Sequence, residues 1–215
     1  MKHAFIFDMD GVLIDSNPTH TVALRQFCKQ HGYELSESQL REKIYGRTNR
    51  DWIRNLFGDI PNDTIDKYAK EKEALFRDLY HDVKPLDGLL GFLSRMDDLK
   101  IPRAIATSAP RANVDFTVSK TGIGPYFTTI LDDSFVTVGK PHPEIYLKSA
   151  AALDMDPSMC VVFEDSLSGV KAGKTAGCKV VGITTTHTPE ELFEADLTLP
   201  NFLNIDPKSL LDSIF

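Results

Sequence analysis

From residue 83 onward, short apolar runs alternate with helical stretches, and this alternation restricts the fold more than any other feature of the chain. The strand candidates are 103–106, 129–131, 159–163 and 179–183, and helical stretches at 88–99, 113–121, 143–153 and 168–176 lie around them. Strands and helices in this order need right-handed crossovers, which build a parallel sheet covered by helices on both faces. Near the N-terminus, residues 4–7 form an unbroken apolar run, the pattern of a strand buried on both faces. Residues 195–199 offer an edge strand. In such sheets ligands bind outside the carboxyl ends of the strands, so the residues just past each strand are where chemistry is expected.

Between the first strand and this alternation, residues 17–82 read as helical throughout. Asn17 or Ser16 caps a helix carrying Val22, Leu24, Phe27 and Cys28, which stops near His31-Gly32. Ser36 and Gln39 have capping-box spacing before a second helix that ends at Tyr45-Gly46. Thr48 or Asn49 opens a third, with Trp52, Ile53 and Leu56, closed by Gly58. Asn62 or Asp63 opens a longer fourth, with Ile65, Tyr68, Leu75, Phe76 and Leu79 on its apolar stripe. Internal repeats and low-complexity linkers are absent. The expected organisation is an α/β core made of residues 1–16 and 83–215, interrupted by an α-helical domain at 17–82.

The bulk numbers narrow the class of partner. With 215 residues, 42% hydrophobic and 26% charged, the chain has ordinary globular composition. A formal charge of −7 argues against a nucleic-acid or anionic-membrane surface. No apolar run reaches membrane-spanning length, and Asp8 comes too early for a signal peptide. Cys28, Cys160 and Cys178 lack metal-type spacing and read as small buried hydrophobes in a reducing compartment. A cytoplasmic monomer acting on a small molecule, with neither nucleic acid nor membrane as partner, is the expectation.

The strand ends carry the chemistry. After Phe7 come Asp8 and Asp10, which project to the same side if the backbone stays extended. Paired carboxylates at the end of a buried strand repel each other, and Mg²⁺ suits such a site because it takes one or two protein carboxylates and keeps positions for water and phosphate oxygens. The competing reading of Asp10-Gly11 is a hairpin turn with 12–14 as the returning strand, although Asp15, Ser16 and Asn17 before Pro18 look instead like a helix start. After the 103–106 strand, Thr107 and Ser108 offer hydroxyls and backbone N–H groups to a phosphate, or simply cap the next helix. Lys140, before Pro141 and Pro143, is a charge neutraliser or an ordinary solvated lysine. After Phe163, Glu164 and Asp165 offer a second carboxylate pair, or Asp165 is a helix N-cap. Together, a carboxylate pair, a hydroxyl pair, a lysine and a second carboxylate pair form the inventory of phosphoryl transfer.

On these motifs the chain resembles the haloacid dehalogenase superfamily, in its β-phosphoglucomutase-like branch with a helical cap after the first motif. Asp8-Met-Asp-Gly-Val-Leu-Ile-Asp15 is similar to the first family motif, Ile105-Ala-Thr-Ser108 to the second, Lys140-Pro-His-Pro-Glu144 to the third and Val161-Val-Phe-Glu-Asp-Ser-Leu-Ser-Gly169 to the fourth. The resemblance implies a Rossmann-like parallel sheet core with an inserted α-helical cap domain, and a Mg²⁺-dependent phosphatase acting on a small phosphorylated metabolite such as a sugar phosphate. It implies Asp8 as nucleophile, Asp10 as general acid and base, and Thr107 with the Ser108 backbone as phosphate binders. Lys140 would neutralise charge, and Asp8, the Asp10 carbonyl and Asp165 would hold Mg²⁺, with Glu164 direct or through water. Within the cap, His20 and Lys72 fall where the mutases carry substrate-contacting polar residues. Asn49 stands where they have a phosphate-gripping arginine, with Arg47 or Arg50 as substitutes. That departure favours a phosphatase over a phosphosugar mutase, and the intact Asp8, Asp10, Lys140 and Asp165 argue against an inactive binding module.

Overall fold

The structure is a computed structural model that describes residues 3–44 and 48–215. The expected helix end at Tyr45-Gly46 and the candidate Arg47 lie outside the described residues. The chain divides into two compact units, Met1–Asp15 with Val83–Phe215, and Ser16–Asp82.

In the larger unit, β1 (Ala4–Phe7) lies at the centre of a six-stranded sheet. Its other strands are β2 (Arg103–Ala106), β3 (Thr129–Leu131), β4 (Cys160–Glu164), β5 (Lys179–Ile183) and β6 (Leu197–Leu199). The order is β3-β2-β1-β4-β5-β6, and every neighbouring pair is parallel. Such pairing needs crossovers, which helices provide among β1 to β5, whereas residues 184–196, which link β5 to β6, contain no helix. The parallel α/β sheet read from the alternation, and the Rossmann-like core that the resemblance implied, are what is observed.

The α-helices among the described residues are α1 (Asn17–Gln30), α2 (Glu37–Lys43), α3 (Asn49–Phe57), α4 (Asn62–Leu79), α5 (Leu89–Asp98), α6 (Arg111–Thr121), α7 (Glu144–Ala152), α8 (Leu167–Thr175) and α9 (Pro207–Ile214). Strand periodicity divides the α/β core into two layers. Phe5, Phe7, Val161, Phe163, Val181 and Ile183 face α5, α6 and α9, where Leu89, Phe92, Leu93, Met96, Val114 and Leu210 close the layer. Phe7 and Phe163 stack across the strand pair at 4.6 Å. On the opposite face Ala4, Ile6, Val162 and Val180 pack against Ile145, Tyr146 and Ala150 of α7 and Val170 and Ala172 of α8.

The smaller unit contains α1 to α4 around Leu24, Phe27, Leu40, Trp52, Ile53 and Ile65. Its second helix opens with the expected reciprocal cap: Gln39 N donates to Ser36 Oγ, and Ser36 N donates to Gln39 Oε1 at 2.8 Å. Thr48 caps α3 by accepting from Asp51 N, and Gly58 ends it at φ +77°.

Several boundaries differ from the sequence reading. Strand β4 starts at Cys160 because Asp156 accepts from Ser158 N and winds Pro157–Met159 into a 3₁₀ turn. The edge strand is confined to Leu197–Leu199, because Ala195 N is committed to Leu192 O. Pro61, rather than Asn62 or Asp63, holds the cap position of α4. The short C-terminal helix α9, capped by Asp206, was not expected at all.

Candidate active site

The sheet ladder runs past the end of β1, because Asp8 N donates to Phe163 O at 3.0 Å, and this carries Asp8 to the rim beside β4. Beyond it the chain does not turn back as a hairpin. Met9 O accepts from Leu13 N at 2.9 Å, Gly11 takes φ +74°, and Gly11 N donates to Ile14 O at 2.7 Å. Only glycine adopts this left-handed geometry without strain, so Asp10-Gly11 makes a compact loop. Ile14 then pairs antiparallel with Pro85.

Lys140 reaches the same rim from the segment before α7. Its ammonium donates to Asp8 Oδ1 and to Glu164 Oε1, both at 2.6 Å, and lies 3.4 Å from Ala106 O at the end of β2. It is no solvated surface charge: its side chain is 7% exposed. Tyr146, fully buried in the first turn of α7, donates its hydroxyl to Glu164 Oε1 at 2.7 Å, and its ring centroid lies 5.0 Å from Lys140 Nζ. The other oxygen of Glu164 accepts from Asp165 N and Ser166 N, both at 3.0 Å, and from Ser166 Oγ at 2.9 Å. Five donors therefore fix a carboxylate with no solvent exposure.

Asp165 is not the helix cap. Ser166 takes that role on α8 by accepting from Gly169 N, which leaves Asp165 buried with its Oδ2 accepting from Thr186 Oγ1. Nor do Thr107 and Ser108 cap α6, whose cap position is Pro110. Thr107 is buried and accepts from Ala109 N at 3.1 Å, while Ser108 is exposed. Asp10 is partly buried and contributes repulsion to both Asp8 and Asp165.

Ligand oxygens of Asp8, Glu164 and Asp165 all lie within 4.8 Å of one another. Opposite them stands Lys140, so full ionisation leaves an excess of buried negative charge. The titration behaviour follows. Burial drives the Asp8 carboxyl well above its ordinary range, opposed by Lys140 and reinforced by the neighbouring carboxylates. Burial and then Glu164 push Asp165 up to about 7. Glu164 stays below the ordinary range, since the attraction of Lys140 and its hydrogen bonds overcome burial. Lys140 is held well above its ordinary value, because Asp8 and Glu164 overcome burial that alone would lower it. Crowded anionic oxygens with uncompensated charge are the donor set of a hard divalent cation, and Mg²⁺ fits them.

Of the candidates in the helical unit, His20, Asn49 and Lys72 form one hydrogen-bonded knot. Lys72 Nζ contacts His20 Nδ1 and donates to Glu73 Oε1, both at 2.9 Å, and the His20 ring stacks on Phe76 at 3.7 Å. Asn49 Nδ2 donates to the same Glu73 oxygen at 2.9 Å, while Asn49 Oδ1 accepts from Trp52 Nε1 at 2.9 Å. Lys72 and Glu73 are both buried, and Glu73 is held below its ordinary range because Lys72 and His20 outweigh the burial that would raise it. Both ends of the Asn49 amide are thus engaged within the unit. Arg50 is exposed and paired with Asp66 at 2.7 Å.

Sequence reasoning overlooked Glu73, Tyr146, Thr185 and Thr186. Tyr146 carried a signal, a polar-tipped aromatic beside Ile145 and Ala150 on the buried face of α7 that needs a partner when buried. Thr185 and Thr186 follow β5, where the strand-end rule pointed; Thr185 Oγ1 donates to Gly11 O at 2.6 Å.

Known proteins are similar to this chain along most of its length. A family profile described as haloacid dehalogenase-like hydrolase matches residues 5–183. Validoxylamine A 7′-phosphate phosphatase of Streptomyces hygroscopicus subsp. limoneus is 30% identical over 207 residues, which is 95% of this chain and 96% of that protein. The phosphorylated carbohydrates phosphatase of Thermotoga maritima is 34% identical over 179 residues, or 81% of each chain. The crystal structure of β-phosphoglucomutase from Clostridium difficile superposes with a TM-score of 0.86 at 25% identity, covering 100% of this chain and 97% of that one.

Proposed function

The chain belongs to the haloacid dehalogenase-like hydrolases and is a phosphoric monoester hydrolase, and from that premise we propose that it cleaves a small sugar-type phosphate through a phosphorylated Asp8. The observation that carries this reading is the Lys140 ammonium, bonded at 2.6 Å to both Asp8 and Glu164 at the carboxyl end of the central strands. Asp8 attacks phosphorus, the bond from phosphorus to the ester oxygen breaks, and Asp10 gives its proton to the departing alkoxide. Water then attacks the phosphorus of the aspartyl-phosphate, Asp10 takes up a proton from it, and the bond from Asp8 to phosphorus breaks to release inorganic phosphate. Lys140 holds positive charge beside Asp8 in both steps, and Thr107 and the Ser108 backbone bind phosphoryl oxygens.

Asp8, Asp165 and the Asp10 carbonyl would hold Mg²⁺, with Glu164 as a further oxygen donor. When bound, the cation supplies charge neutralisation for the crowded carboxylates and the phosphoryl oxygens. The helical unit, with His20 and Lys72, is proposed as the cap that selects the leaving group. The mutase reading needs a cation for a second phosphate at the Asn49 position, and the Asn49 amide is instead engaged with Glu73 and Trp52.

The test is turnover of an aryl phosphate with Mg²⁺, with excess EDTA, and with Asp8→Asn. Activity is expected only in the first condition, because an amide cannot form the phosphorylated intermediate. Undiminished turnover by Asp8→Asn would refute the nucleophile assignment, and turnover surviving EDTA would refute the cation.

A further inference from the structure

Lys140 sits on a flexible four-carbon stem, and its position over Asp8 has to be imposed from outside. Two of the groups around it are fixed by other contacts. Glu164 is held through its second oxygen by Ser166 and two backbone N–H groups. Tyr146 belongs to α7, packed among buried Ile145 and Ala150 against the sheet. Its hydroxyl shares Glu164 Oε1 with the ammonium, at 2.7 Å against 2.6 Å, and its ring stands 5.0 Å from Nζ. The phenol thus closes a triangle with Lys140 and Glu164. Without the hydroxyl, Oε1 loses the donor that fixes its direction from the α7 side. Without the ring, the ammonium loses the face packed against it.

We propose that Tyr146 is a positioning residue for phosphoryl transfer: it aims Lys140 at Asp8 by fixing Glu164 Oε1 and by backing the ammonium with its ring. The inference rests on the hydrolase reading above, in which the Lys140 charge is needed beside Asp8. A misplacement of about 1 Å in such a group costs up to roughly a hundredfold in rate.

The experiment compares the parent, Tyr146→Phe, Glu164→Gln and the double variant on an aryl phosphate at saturating Mg²⁺, with melting temperatures alongside. Tyr146→Phe keeps the ring and removes only the hydroxyl, so kcat should fall about tenfold with KM within about twofold. Because the tyrosine acts through Glu164, adding Tyr146→Phe to Glu164→Gln should cost less than twofold more. Additive losses would assign Tyr146 to the core alone and overturn the proposal. A Tyr146→Phe variant with the parent's kcat, or one that fails to fold, would overturn it equally. If the parent itself releases no phosphate, the hydrolase reading fails and takes this inference with it; a working parent matched by Tyr146→Phe removes only the inference.

Discussion

Gly169→Ala tests the rigidity of the site from outside the reacting groups. A Cβ at Gly169 would lie 1.7 Å from Glu164 Oε1, 1.8 Å from its Cδ and 2.3 Å from Oε2, so the methyl would occupy the space of the carboxylate itself. Glu164 cannot swing aside cheaply, because five donors hold it and it has no exposure. Removing one partner from a buried ion pair costs about 3–5 kcal/mol, and alanine in place of a helical glycine returns about 1 kcal/mol. The net loss is about 2–4 kcal/mol, which lowers the melting temperature of a chain this size by roughly 5–15 °C. Turnover should drop about a hundredfold, because Lys140 loses the carboxylate that places it. Gly91→Ala is the control: that glycine is an exposed residue of α5, its new Cβ would meet only Arg95 Nη1 at 3.7 Å, and the change should stabilise slightly. Thermal melts followed by circular dichroism, with turnover measured on the same preparations, make the comparison. If Gly169→Ala melts and turns over like Gly91→Ala, the Glu164 carboxylate is not locked where the hydrogen bonds place it.

Asp10→Asn should slow the release of alcohol from alkyl phosphates about 10²–10⁴-fold while the first burst of phenol from aryl phosphates changes much less, because only the poor leaving group needs a proton and the later hydrolysis of the aspartyl-phosphate is common to both; equal losses in that first step would leave Asp10 without the acid role. The pH dependence of stability in EDTA should carry the signature of Asp165, whose folded value of about 7 exceeds its ordinary 3.8. A raised carboxyl gives stability that is present below about pH 4 and lost as pH rises through 7, so a shift of about three units corresponds to about 4 kcal/mol. The parent should lose that amount relative to Asp165→Asn between pH 4 and 7, as read from urea midpoints, and a difference independent of pH would contradict the burial argument. Given a hexose 1-phosphate together with the 1,6-bisphosphate, the enzyme should release more inorganic phosphate than 6-phosphate; dominant isomerisation would reverse the preference for hydrolysis.

The alternation after residue 83 and the unbroken apolar run at 4–7 determined the parallel sheet, because burial on both faces and crossover connectivity follow from pattern alone. The same reading pointed to Asp8, Asp10, Thr107, Glu164 and Asp165, since the carboxyl ends of strands are positions in a sequence as much as in a fold, and to Lys140 in the segment between β3 and α7. Local chemistry was equally legible where partners lie within a few residues, as in the Ser36–Gln39 capping box.

Tertiary structure alone decided which partner each of these groups takes. Whether Lys140 is solvated or bonded to Asp8 and Glu164 depends on residues 132 and 24 positions away. Ser166 displaced Asp165 as the cap of α8 by accepting from Gly169 N, a contest between neighbours that composition cannot judge. The knot of His20, Asn49, Lys72 and Glu73 joins three helices across as many as 52 positions. The physical reason is common to all of them. Patterning is set by burial, which each residue reports for itself, whereas the ionisation and aim of a buried polar group are set by whatever the fold brings within hydrogen-bonding distance.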